Sequence, residues 1–167
     1  KLILEEGPFD LIHAHDWLVG DAAIALKHNF KIPLIATIHA TEHGRYNGIY
    51  TEEQSYINGK EHLLAYNAWR IIVCTDYMRR EVERALASPW GKIDVIYNGI
   101  RPEKKHKRQD FDYWHFRRQY ADDNEKIVYY VGRMTYEKGV SVLLNAAPKL
   151  LWEMGGHAKF VLVGGGN

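Results

Sequence analysis

The 167-residue sequence holds one cysteine, five prolines and no excess of either charge: 22 Lys and Arg stand against 21 Asp and Glu. A single thiol excludes an internal disulfide framework. Cys74 lies in the apolar run Ile71-Ile72-Val73-Cys74 and reads as a buried, inert thiol in a reducing compartment. A formal net charge of +1 gives no chain-wide attraction for nucleic acid or an anionic membrane surface. No apolar run approaches the ~18 residues that span a bilayer, and the N-terminal residues show no signal-peptide pattern. These absences predict a cytoplasmic chain with no transmembrane segment and no nucleic-acid partner. Also missing are a Gly-x-Ser-x-Gly elbow, an H-E-x-x-H pair, a Walker A loop and G-x-G-x-x-G. Carboxylate pairs exist, but no spacing sets two of them opposite each other as a glycosidase requires.

What is present is a core-forming composition, 46% hydrophobic and 26% charged, which excludes a disordered chain. Short apolar runs at 10–14, Leu34–Ile38, 70–74, 94–96, 127–131 and 159–163 predict strands. Between them, 19–29, 52–69, 76–87 and 139–153 carry apolar residues at helical spacing. In the last of these, Val140, Leu143, Leu144, Ala147, Leu150 and Leu151 share one face. Strand and helix in alternation predict an α/β protein with parallel sheets.

One stretch breaks the alternation. Residues 101–125 carry Pro102, the basic run Lys104-Lys105-His106-Lys107-Arg108 and then Asp122-Asp123, with only a short helix within 111–120, begun near Asp110 or Asp112. The shift reads as a solvated connecting segment rather than a nucleic-acid patch. It predicts a border near Ile100. Residues 1–100 are then the later part of one domain, 101–124 the connection, and 125–167 the start of a second. The opening Lys1-Leu2-Ile3-Leu4, without Met, and the closing Gly164-Gly165-Gly166-Asn167 read as a segment of a longer protein.

Ligands of parallel α/β sheets bind at the carboxyl ends of the strands, so the loops there hold the candidate residues. The run Gly132-Arg133-Met134-Thr135-Tyr136-Glu137-Lys138-Gly139 joins a strand to a helix. Its glycines permit a tight turn and close backbone approach. Arg133 and Lys138 beside a helix N-terminus suit a diphosphate, while an ordinary βα turn with two surface cations fits equally well. His13-Ala14-His15-Asp16-Trp17 ends the first strand, with His13 and His15 on one face and Asp16 opening the loop. His39 and His43 form a second pair after the next strand. Hydrogen-bonded histidines fit these spacings better than a metal site does, and no metal is expected. His39 stands where it could meet a ligand's hydroxyls. Asn98-Gly99 reads as a positive-φ turn.

Taken in order, His13-Ala14-His15-Asp16-Trp17, Thr37-Ile38-His39, Tyr97-Asn98-Gly99-Ile100 and Gly132-Arg133 with Lys138-Gly139 resemble the retaining GT-B glycosyltransferases of the glycogen and starch synthase type (glycosyltransferase family 4/5-like). The resemblance implies two Rossmann-like domains with parallel sheets, both incomplete in this chain, and a nucleotide diphosphate sugar, ADP- or UDP-glucose, as donor. It implies that Arg133 and Lys138 bind the donor diphosphate and that His39 lies against the transferred sugar. Asp16 would shape the sugar and acceptor pocket, with Asn98 and Gly132 as further contacts. A glucan or other carbohydrate acceptor is implied, and no cofactor. Trp17-Leu18 departs from the Trp-His frequent in true glycogen and starch synthases, which keeps sucrose, trehalose and lipid-sugar transfer open. A nucleotide-sugar epimerase and a non-catalytic carbohydrate- or protein-binding module on the same fold are the alternatives.

Overall fold

A computed structural model of the chain describes residues 2–102 and 110–166; the basic run at 104–108 lies outside them. Two compact units divide the chain, Lys1–Ile100 and Arg101–Asn167.

The first unit is built on four strands, β1 (Ile12–His15), β2 (Leu34–Ile38), β3 (Arg70–Val73) and β4 (Ile93–Val95). They are parallel and lie in the order β1-β2-β3-β4. Five helices intervene or precede: α1 (Leu2–Glu6), α2 (Gly20–Phe30), α3 (Glu42–Tyr46), α4 (Glu52–Asn67) and α5 (Asp76–Ala85). The register sets Ala14, Ala36, Ile71 and Ile93 in one row across all four strands, and every member of that row is buried. Leu64 and Ala65 of α4 and Val82 of α5 join the same core. Burying a side chain of the size of Leu64 or Ile71 contributes roughly 1.5–3 kcal/mol, so this row and its helix partners hold the unit together.

Local chemistry fixes where the elements begin. Thr51 caps α4 by accepting from the Gln54 amide, and Gln54 returns the bond to the Thr51 amide, a full capping box. Thr75 caps α5 through the Met78 amide at 3.1 Å. At the other end of α4, the Lys92 ammonium donates to the carbonyls of Ala65 and Tyr66 at 2.7 and 2.9 Å. A cation there suits the negative pole of the helix. Arg70 grips Asp94 with two guanidinium nitrogens, joining β3 to β4.

The second unit pairs β5 (Lys126–Val131) with β6 (Ala158–Val163) in parallel, joined by α7 (Val140–Glu153). A short helix, α6 (Tyr113–Arg117), precedes them, capped by the Asp112 carboxylate on the His115 amide at 2.9 Å. The Arg117 guanidinium secures the turn into β5 by donating to the carbonyls of Ala121, Asp122 and Glu125.

The expected strands and helices therefore form, with boundaries shifted by a residue or two, and the sheets are parallel. Four details differ. The short helices α1 and α3 lie in stretches too brief for a helical period to show. Leu144 is half exposed, so the inner face of α7 consists of Val140, Leu143, Ala147, Leu150 and Leu151. Neither Asn98 nor Gly99 has a positive φ: the chain leaves β4 without reversing, so the dipeptide's turn preference is not used. Cys74 is partly exposed, because β3 ends at Val73 and the thiol falls just past the strand, at its carboxyl edge.

Candidate functional site

Because β1, β2 and β3 are parallel and in close register, their carboxyl ends bring His15, Asp16, His39 and Cys74 to one edge of the sheet. Asp16 joins the first two strands there. Its amide donates to the Thr37 carbonyl at 3.0 Å, and its Oδ1 accepts the His39 amide at 2.8 Å. The residue sits at φ 58°, ψ 176°, a backbone region that residues other than glycine occupy at a cost of about 1–3 kcal/mol. Two hydrogen bonds hold it in that conformation.

Three imidazoles line up along this edge. The His13 and His15 ring centroids are 4.3 Å apart, and those of His15 and His39 are 5.3 Å apart and nearly parallel, at 13°. His13 Nε2 shares a 2.7 Å hydrogen bond with the Thr37 hydroxyl, and His15 Nδ1 lies 3.0 Å from His39 Nε2. Partial burial, with His15 and His39 adding like charge, lowers the pKa of His13 and favours a neutral ring there. The Cys74 thiol lies 3.9 Å from His39 Nδ1 and donates to Asn98 Oδ1 at 3.4 Å. His39, Asp16 and Asn98, singled out separately in the sequence, thus belong to one connected network, with Cys74 as an unforeseen link.

The chain after His39 is held by buried carboxylates that the sequence reading passed over. Thr41, Glu42, Glu61 and Glu81 are all buried. Glu61 Oε1 accepts the Glu42 amide at 2.8 Å, while its Oε2 is buried without a hydrogen-bond partner. Burial pushes the Glu61 carboxyl up from an ordinary 4.5 to about 7, opposed by the Glu42 amide and reinforced by the charges of Glu42 and Asp16. One signal could have revealed it. Glu61 stands three and four residues before Leu64 and Ala65 and seven before Ala68, on the stripe of α4 that faces the core. Beside this segment is an open polar hollow of about 480 Å³ lined by Trp17, Glu42, Arg45, Tyr46 and Gln54 among others.

In the second unit, Gly132 follows β5 and its amide donates to the Val163 carbonyl at 3.0 Å. Gly164 has φ 155°, and a Cβ there would meet the Gly132 carbonyl oxygen at 1.8 Å, so the two strand ends approach as only glycine allows. Arg133 follows, its guanidinium paired with Glu137 at 2.9 Å, and Lys138 is exposed. Gly139, at φ 70°, turns the chain into α7 with no side-chain cap on that helix. Amides of the first turn and two cations therefore share one loop, an arrangement suited to phosphate oxygens. Among the described residues, no group of three His, Cys, Asp or Glu side chains is placed to hold a metal ion, and no helix is long and apolar enough to cross a membrane.

Comparison with known proteins sets these features in a family. The sequence profile of Glycosyltransferase Family 4 matches residues 1–104, and that of Glycosyl transferases group 1 matches residues 112–167. An uncharacterised glycosyltransferase of Methanocaldococcus jannaschii is 36% identical over 173 residues, covering 99% of this chain and 42% of its own length. A glycogen synthase of Mycobacterium tuberculosis is 35% identical over 142 residues, covering 84% of this chain and 32% of its own. Among solved structures, Anabaena HepE in complex with UDP and glucose superimposes with a TM-score of 0.68 at 16% identity, over 95% of this chain and 48% of that one. The fold is thus a GT-B α/β fold, and the chain spans less than half of the length of these relatives.

Two outcomes follow from the geometry. Asp16→Gly and Asp16→Ala both remove the bond to His39, but only glycine also relieves the backbone. Urea unfolding should find the glycine variant more stable than the alanine variant by about 1–2 kcal/mol; equal stability would show that Asp16 is unstrained. For Glu61, the folded chain retains a proton between pH 4.5 and about 7 that the unfolded chain has released. Its contribution to stability therefore falls as pH rises through that window, by about 3 kcal/mol in all, and levels off above it. Relative to Glu61→Gln, the wild-type chain should be less stable at pH 8 than at pH 5; a difference independent of pH would contradict a raised carboxyl.

Proposed function

The chain belongs to Glycosyltransferase Family 4, and from that premise we propose that the full-length protein transfers a hexose, glucose in the leading reading, from a nucleotide diphosphate sugar to a carbohydrate acceptor with retention of configuration. The observation that carries this reading is the Asp16–His39 junction. An acidic side chain on the first strand's end fixes the backbone of an imidazole-bearing residue on the second, at the edge where parallel sheets bind ligands. His39 is assigned to the hydroxyls of the transferred sugar, and Asp16 to the position of His39 and the floor of the sugar pocket. Asn98, held by Cys74, is a lesser contact. The hollow beside Trp17, Arg45 and Tyr46 offers aromatic and polar groups of the kind that receive a carbohydrate acceptor.

Arg133 and Lys138 take the donor diphosphate, with Gly132 allowing the close approach. As the bond from the anomeric carbon to the diphosphate oxygen breaks, negative charge grows on the departing nucleotide diphosphate. Cations and helix-end amides set in advance around those oxygens lower the barrier. Glu137 occupies the Arg133 guanidinium, so the incoming diphosphate competes with that carboxylate for it. The chemistry needs no metal in this scheme, because the protein's own cations neutralise the leaving group. ADP- and UDP-glucose are the candidate donors. The glycogen synthase relative supports glucan synthesis, and the HepE complex with UDP-glucose supports a uridine donor. A single thiol suits a cytoplasmic setting.

In the full-length protein, Arg133→Ala and Lys138→Ala should each lower kcat for nucleotide diphosphate release by about 10²–10³, as loss of one preorganised donor does elsewhere. Turnover within a few-fold of wild type in both variants would remove the two cations from the reaction.

A further inference from the structure

Helix α3 has five residues, too few to stand by hydrogen bonds of its own, yet the two residues that open it are buried. Thr41, its N-cap, is fully buried, and Glu42 nearly so. Two helices distant in sequence supply the reason. From α4, Glu61 Oε1 accepts the Glu42 amide at 2.8 Å. From α5, Glu81 Oε1 accepts the Thr41 hydroxyl at 2.5 Å, while that same hydroxyl oxygen accepts the Gly44 amide at 2.9 Å. Gly44 is shaped to this arrangement, since a Cβ there would fall 2.2 Å from Glu81 Oε1. The carboxylate occupies the room a side chain would need.

Burying two glutamates is costly, and well-packed apolar residues of similar size usually serve stability as well or better. Their convergence on one turn calls for another reason. That turn begins two residues after His39, whose amide is already fixed by Asp16. The backbone from 39 to 44 is thereby anchored at three points, by Asp16, Glu81 and Glu61, each from a different element. Asp16 ties the start of the segment leaving β2, and the two glutamates tie the turn that follows it.

We propose that Glu61 and Glu81 are positioning residues for sugar transfer, clamping the 41–44 turn so that His39 stays in place at the carboxyl end of β2. The proposal rests on the role given to His39 under the proposed function. Neither glutamate touches substrate in this scheme; both act through the backbone that carries the imidazole. The bonds they make need an acceptor oxygen and not a negative charge, so glutamine can replace either one and leucine cannot.

The test uses the full-length protein with Glu61→Leu, Glu81→Leu, Glu61→Gln and Glu81→Gln. The leucine variants fold, with kcat reduced about 10–100-fold and the donor KM changed less than about threefold, and the glutamine variants recover most of kcat. Added to His39→Ala, the leucine substitutions lower kcat by less than about threefold more, because the group they position is already gone. Full additivity with His39→Ala, or glutamine variants as impaired as leucine ones, overturns the proposal. Amide hydrogen exchange provides a readout independent of turnover. Exchange at Glu42 and Gly44 accelerates at least about tenfold in the leucine variants while Ala36 and Ile71 are unchanged; unaltered exchange at Glu42 and Gly44 overturns the clamp whatever the activity. A wild-type protein that transfers no sugar refutes the proposed function instead, and leaves exchange to decide the clamp.

Discussion

The hydrogen bond from the His39 amide to the Asp16 carboxylate is the constraint on which the rest of the site depends. It ties the loop after β1 to the loop after β2, and it holds Asp16 in a backbone conformation the residue would otherwise leave. With those two loops joined, the His15 and His39 imidazoles stack, the His13 ring lies tilted against His15, and Cys74 and Asn98 extend the network toward β3 and β4. The sheet beneath is ordinary: four parallel strands crossed by one buried row of Ala14, Ala36, Ile71 and Ile93. The cost of the site is carried by that core.

Charge is distributed differently in the two units. In the first, Asp16 at the sheet edge, Glu61 of α4 and Glu81 of α5 accept hydrogen bonds from the His39 amide, the Glu42 amide and the Thr41 hydroxyl. They fix geometry. In the second, Arg133 and Lys138 of the βα loop are exposed, and the Arg133 guanidinium pairs with Glu137. Such a pair is worth little to stability, so it can be exchanged for a phosphate oxygen at small cost.

Much of this was legible in the sequence. Strands such as Leu34–Ile38 and 127–131 announce themselves because β-branched and apolar residues run between polar helices of clear period, and register then follows from parallel pairing. His15, Asp16 and His39 could be placed at strand ends for the same reason. The misses have physical causes. Glu61 and Glu81 look like surface residues by type; only their position on the inward stripe of α4 and α5, beside Leu64 and Val82, betrays them. By sequence Cys74 reads as core, but β3 ends one residue earlier, at Val73, and leaves the thiol partly exposed. Asn98-Gly99 carries a local preference for a positive-φ turn, and neither residue adopts it in the fold.

The most direct measurement is nucleotide diphosphate release by the full-length protein, given UDP-glucose and ADP-glucose separately, each with and without glycogen. The account predicts release from one of these donors that depends on the acceptor, with the glucan lengthened by the same number of glucose units. No release from either donor, with or without glycogen, would contradict it.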